Sequence, residues 1–128
     1  MKNIDSFTHV RGESIYLDDI PLLQGTLFGT VFGSPSAHGK IKSLDCCEAE
    51  AMPGVVRIFT AKDIPGENQI GGIVPDEELL ASDHVHFCGM PIALVIARTD
   101  EAARAAVKKI KATFDPFPII EIFNKYTG

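Results

Sequence analysis

The sequence predicts an α/β domain, and three stretches carry that prediction. Thr26 to Phe32 (TLFGTVF) is rich in β-branched and aromatic residues and is bounded by Gly25 and the GSPS turn at Gly33 to Ser36, the pattern of a strand. Pro91 to Ala97 (PIALVIA) is a near-continuous apolar run, as in a core strand covered on both faces. Directly after it, Thr99 is a good helix cap, and Ala103, Ala106, Val107 and Ile110 repeat at helical spacing. One face of that helix packs on the sheet while Glu101, Arg104 and Lys108 face water. Asp100 and Glu101 suit the positive end of its dipole, and Lys108, Lys109 and Lys111 suit the negative end.

The remaining elements follow in chain order. Residues 1–23 are polar and turn-rich, with Gly12, Asp18, Asp19 and Pro21, and read as an extended N-terminal arm over the surface with short strand pairing. After the GSPS turn, GKIKSLD alternates apolar Ile41 with charged neighbours in the period-2 pattern of a half-buried strand. Asp45 to Met52 reads as a short helix capped by Asp45 and stopped by Pro53-Gly54. VVRIF (Val55 to Phe59) returns as a strand, and Thr60 caps a single turn, AKDI, before Pro65-Gly66 opens a loop to about Glu78. HVHF (His84 to Phe87) is a further strand region, as are ATF and then PIIEIF near the C-terminus. No internal repeat or linker divides the chain, so residues 1–128 read as one domain.

Composition narrows the function classes. A chain of 128 residues with 45% hydrophobic and 23% charged residues is that of a soluble globular domain, large enough for one core. Its 17 acidic residues against 12 basic ones give a formal charge of −5, which argues against a footprint for nucleic acid. The longest apolar run falls far short of the ~20 residues needed to span a bilayer, so no membrane association is expected. The N-terminus MKNIDSFTHV lacks the apolar core of a signal peptide, which points to the cytoplasm. Three cysteines, two of them adjacent, cannot form an even disulfide framework and read as reduced thiols.

Candidate chemistry is sparse. On an extended strand His84, His86 and Cys88 would share one face and offer ligands that zinc or copper could use. Against that metal reading, no second cluster lies near in sequence, and a metal centre needs three or four ligands with supporting contacts. Cys46-Cys47 lacks the C-x-x-C spacing of a redox pair, although Cys46 stands near a helix start where a thiolate is favoured. The carboxylate clusters Asp18-Asp19 and Asp76-Glu77-Glu78 lie in polar, loop-like surroundings and read as solvated surface. His38 has no nucleophile that sequence can set beside it. Gly25, Gly29 and Gly33 keep a G-x-x-x-G register in a segment too short and β-rich for a membrane helix, and no phosphate-binding glycine loop is present.

Four stretches, in order, carry a resemblance: HVRGESIYLDDIP (His9 to Pro21), SPSAHGKIKSLD (Ser34 to Asp45), MPGVVRIFTAKDIPGEN (Met52 to Asn68) and FCGMPIALVIARTDEAARAA (Phe87 to Ala106). Together they resemble the N-terminal part of the molybdenum-binding large subunit of xanthine dehydrogenases and aldehyde oxidases, the α/β hammerhead domain. The resemblance implies a mixed sheet with two main helices. It also implies a noncatalytic, structural role in a molybdenum hydroxylase: packing on cofactor domains and shaping the substrate entrance.

By the same resemblance, molybdopterin, iron-sulfur clusters and FAD belong to the complete enzyme and none is held by this chain. Its partners are the molybdopterin-binding domains of the same subunit and the iron-sulfur and FAD subunits. A domain parted from them exposes apolar surface that favours a homodimer. The loop after PGEN resembles one in which two adjacent apolar residues line the route to the active site, and Ile73 and Val74 fall there. The methionine just before HVRG resembles arrangements with separate iron-sulfur and flavin polypeptides, and the chain reads as a fragment or a truncated product. The rivals are a free-standing binding or assembly module of the same fold and a small metal protein built on His84, His86 and Cys88.

Overall fold

Helix α1 (Ser6–Arg11) and a single 3-10 turn at Leu17–Asp19 precede the first strand in a computed structural model that describes residues 6–118. The strand pairing expected of the arm is absent among the described residues before Phe28. Local contacts decide this stretch instead: the Asp19 carboxylate accepts the Tyr16 N–H at 3.0 Å, and the Thr26 hydroxyl donates to the Leu23 carbonyl at 2.8 Å. Residues 6–27 are exposed, with Ser14 alone half-buried.

Among the described residues six strands follow: β1 (Phe28–Gly33), β2 (Gly39–Asp45), β3 (Val55–Thr60), β4 (His84–Val85), β5 (Pro91–Ala97) and β6 (Lys111–Pro116). They form two three-stranded sheets, ordered β1-β5-β3 and β4-β2-β6. The α/β class stands, and every pairing among these strands is antiparallel. Odd-numbered strands build one sheet and even-numbered strands the other, so the chain changes sheet at every connection.

Strand β5 is central in its sheet and covered on both sides, as its apolar run predicts. Ala93 and Val95 pack with Ala49, Ile58, Ala106 and Ile110 on the helix side. Ile92 turns the other way, joining Ala81, Val85 and Met90 between the sheets, against Ile41, Leu44 and Phe114. Helix α2 (Cys47–Glu50) and helix α3 (Asp100–Val107) supply the helix side, with α3 against β1 and β5 and α2 against β3. The buried alanines 49, 103 and 106, all at 0% exposure, let the helices approach closely. Thr99 caps α3 as predicted, its Oγ1 accepting the Ala102 N–H at 3.1 Å. Asp45, the expected cap of the short helix, instead ends β2, and Cys46 stands at the cap position; the Asp45 Oδ1 still accepts the Cys47 N–H at 3.0 Å.

The GSPS turn and the Cys88-Gly89 turn are packed together. The Ser34 N–H donates to the Met90 carbonyl at 2.9 Å, and the Gly89 N–H returns to the Ser34 carbonyl at 2.7 Å. A Cβ on Gly33 would lie 2.9 Å from the Gly89 carbonyl oxygen, which fixes glycine at that position. Residues 119–123 of the expected PIIEIF strand lie outside the described residues.

Candidate functional site

Of the elements around the exposed surface, loop 64–83 between β3 and β4 has the most pronounced local design. It begins at the Thr60 cap, where the Asp63 carboxylate accepts the Thr60 N–H at 2.8 Å, the Thr60 hydroxyl at 3.0 Å and an Arg57 N–H at 3.1 Å. These bonds hold the Asp63 carboxyl below the usual carboxylate range. Farther on, the Asn68 side chain bridges to Leu80: Nδ2 donates to its carbonyl at 2.6 Å and Oδ1 accepts its N–H at 3.0 Å. Between these anchors the Ile70 N–H donates to the Glu77 carbonyl at 2.9 Å. The tip projects Ile73, 98% exposed, and Val74, 59% exposed.

Glu78 closes the loop toward β4, accepting the Ser82 N–H at 2.9 Å and the Ser82 hydroxyl at 2.5 Å. An open groove of about 1120 Å³ runs beside this loop, between β2 and β3, and includes Asp45, Cys46, Arg57, Asp63 and Glu78 in its walls. Several of its charged groups are in structural use: Asp45 accepts the Cys47 N–H, Arg57 pairs with Asp63, and Glu78 holds Ser82. Asp45, Glu48 and Asp63 are all held below the ordinary carboxylate range, Asp45 first by the Cys47 N–H and Glu48 first by Lys111. A general acid at neutral pH needs the opposite shift.

The thiols correct one sequence expectation. Burial first, then Glu50 and Asp45, pushes the Cys46 thiol up, so the short helix does not favour its thiolate. Cys47 is pushed up as well, first by its hydrogen bond to Asp45. Cys46, Cys47 and Cys88 are all free.

His84, His86 and Cys88 do not share a strand face, because β4 ends at Val85 and Cys88 lies in the following turn. The Cys88 thiol points to the Ser34 carbonyl, 3.6 Å away. His84 pairs with Asp83 at 3.2 Å and stacks near Phe117, with ring centroids 5.6 Å apart. His86 lies 5.9 Å from the ring of His38, which meets Phe117 edge-on at 5.0 Å. Among the described residues, no group of three or more His, Cys, Asp or Glu side chains converges on a point that could hold a metal ion. Asp18 and Asp19 sit in the exposed turn of the arm.

The second feature of note is the arm itself. Phe7, Val10, Ile15, Leu17, Leu22 and Leu23 are large apolar side chains that lie uncovered along it. No helix among the described residues is long and apolar enough to cross a membrane. Sequence pattern missed the Asn68 bridge, since one asparagine in a loop has no periodic signal; its place at the end of the PGEN stretch was the available pointer.

Fold and surface thus define an α/β domain of two interleaved sheets, with an apolar arm and an apolar loop tip left outward. Residues 11–118 match the family described as aldehyde oxidase and xanthine dehydrogenase, a/b hammerhead domain, and the chain belongs to that family. It is 43% identical over 111 residues to xanthine dehydrogenase 1 of Arabidopsis thaliana, covering 87% of this chain and 8% of that protein. It is 40% identical over 113 residues to aldehyde oxidase 2 of Rattus norvegicus, covering 88% of this chain and 8% of the relative. Among solved structures, a reconstituted CO dehydrogenase from Oligotropha carboxidovorans superposes with a TM-score of 0.81 at 30% identity, covering 94% of this chain and 15% of that one. The chain therefore spans under a tenth of the length of these curated relatives.

The described side chains do not fit a bound metal group. The three cysteines of the sequence are short of the four thiolates that ordinarily hold an iron-sulfur cluster, and the described residues offer no converging donor set of any kind.

Proposed function

We propose that this chain is the hammerhead domain of a molybdenum hydroxylase of the xanthine dehydrogenase and aldehyde oxidase kind. It packs against molybdopterin-binding domains and shapes the substrate entrance, without being catalytic alone. The observation that carries this reading is the uncovered apolar arm: so many exposed large side chains in 22 residues need a cover that residues 28–118 do not supply. Family membership makes a cofactor domain the natural cover. Iron-sulfur and FAD parts then belong to the same enzyme, working in the cytoplasm, and the exposed tip residues Ile73 and Val74 line the substrate channel.

The test is association. The purified chain, mixed with the molybdopterin-binding portion of a relative, is expected to co-elute with it and to lose protease sensitivity in residues 6–27. Failure to associate together with a stable homodimer through the arm would favour the free-standing assembly module instead. Hydroxylase activity from the chain alone, or stoichiometric molybdenum, zinc or copper in it, would overturn the noncatalytic reading.

A further inference from the structure

Loop 69–79 is apolar at its tip and lies over no core of its own, yet it has a defined course. The course comes from two devices. At the base, the Asn68 carboxamide makes a donor and an acceptor bond to one residue, Leu80, across twelve positions, in the manner of a rung of a β-ladder. Within the loop, the Gly71 N–H donates to the Gln69 Oε1 at 2.6 Å, and a Cβ on Gly71 would collide with the Val74 carbonyl oxygen. The Asp76 N–H also returns to the Val74 carbonyl, at 3.0 Å. Val74 is therefore pinned through its backbone, which leaves the side chains of Ile73 and Val74 outward.

We propose that Asn68 is a positioning residue: its two bonds to Leu80 close the loop, and the closed loop presents Ile73 and Val74 in a preformed orientation at the entrance. This rests on the entrance reading above. An apolar side chain on a loose loop gives up rotational and backbone freedom each time substrate passes, whereas a preformed one does not. Asn68 therefore acts on substrate capture and not on the chemical step. Its partner is backbone, so aspartate at 68 keeps the acceptor bond from the Leu80 N–H and loses the donor bond to the carbonyl.

Hydrogen exchange on the chain tests the clasp directly. In Asn68→Ala the amides of Ile70, Gly71 and Asp76 are expected to exchange about tenfold faster, with β5 and α3 unchanged, since truncation strands both backbone groups of Leu80. Asn68→Asp should fall between. Unchanged exchange in these amides overturns the proposal, whatever the enzyme does, and equal loss of protection in β5 shows a general fold defect and overturns it too.

The assembled enzyme supplies the second reading. Asn68→Ala should raise KM severalfold with kcat retained, and Ile73→Ala/Val74→Ala should have little further effect in that background. If the tip substitutions raise KM but Asn68→Ala does not, positioning by Asn68 is overturned. If neither moves KM while the exchange result holds, the entrance reading fails, and the positioning role with it, while the closed loop itself stands.

Discussion

The Asp63 carboxylate accepts both the backbone N–H and the hydroxyl of Thr60, at 2.8 and 3.0 Å, and so turns the chain out of β3. Arg57 adds a third bond at 3.1 Å from within the strand. Together they bias Asp63 toward the charged form, so the folded chain binds fewer protons at this site than the unfolded chain near pH 4. The stabilisation is complete above the unfolded value and is lost as pH falls through the lower, folded one. Asp63→Asn should therefore lower Tm at pH 7 and flatten the acid side of the stability curve below about pH 4. Thermal melts from pH 7 to pH 3 check this; parallel curves for the two proteins would contradict it.

Thr99 is the counterpart at α3. Replacing it with alanine removes the side-chain acceptor of the Ala102 N–H and should cost about 1 kcal/mol, roughly 4 °C in Tm. Thr99→Ser should restore most of the loss, because the hydroxyl is what acts. Equal Tm values for Thr99→Ala and the parent would show that the cap contributes nothing.

Ala106 tests the close helix approach. It is fully buried among Ala49, Ile58, Ala93 and Val95, so leucine there should overpack the site and cost about 1–3 kcal/mol in urea unfolding. Glu101→Ala, on the exposed face of the same helix, should change stability by no more than about 0.5 kcal/mol. A tolerated leucine would mean that the layer between α3 and β5 is looser than described.

Asp45 controls the reactivity of an exposed thiol. Its carboxylate sits beside Cys47, accepting that residue's N–H at 3.0 Å, and favours the thiol over the thiolate, so Asp45→Asn should speed alkylation of Cys47 by iodoacetamide at pH 7.5. Peptide mass spectrometry separates Cys47 from Cys46, whose thiol is held up mainly by burial and should respond less. Unaltered rates at Cys47 would remove Asp45 from the account.

How much of this was legible in the sequence depends on the range of the interaction involved. Strand β5 and helix α3 were readable because periodicity and capping are properties of neighbouring residues: PIALVIA and the 103, 106, 107 stripe carry their own geometry, but α3 stops at Val107, so Ile110 follows the helix and Lys111 opens β6 where a longer helix with a lysine-rich end was expected. The extension from His84 through Cys88 was misread, because a period of two holds only while a strand lasts, and β4 stops at Val85 where the chain turns to meet Ser34. The arm was misread as pairing for a related reason: short-range bonds from Asp19 and Thr26 outweighed its extended composition. The Asn68 bridge had no periodic signal, only its place at the end of PGEN, since its partner is backbone twelve residues away. The division into two sheets was equally hidden, because alternation marks a strand without naming its neighbour.

That division has a kinetic consequence. Since odd and even strands are shared out between the sheets, no two strands adjacent in sequence are hydrogen-bonded to each other, and even the earliest pairing in chain order, β2 with β4, spans loop 64–83. A nascent chain cannot complete either sheet until β5 and β6 have been made. Closing such long loops before any ladder rewards them is slow, so folding should run as a single late, cooperative event with a rate nearer that of β-sandwiches than of helical bundles. Severing the chain at any connection between β2 and β5 would leave neither piece with a complete sheet.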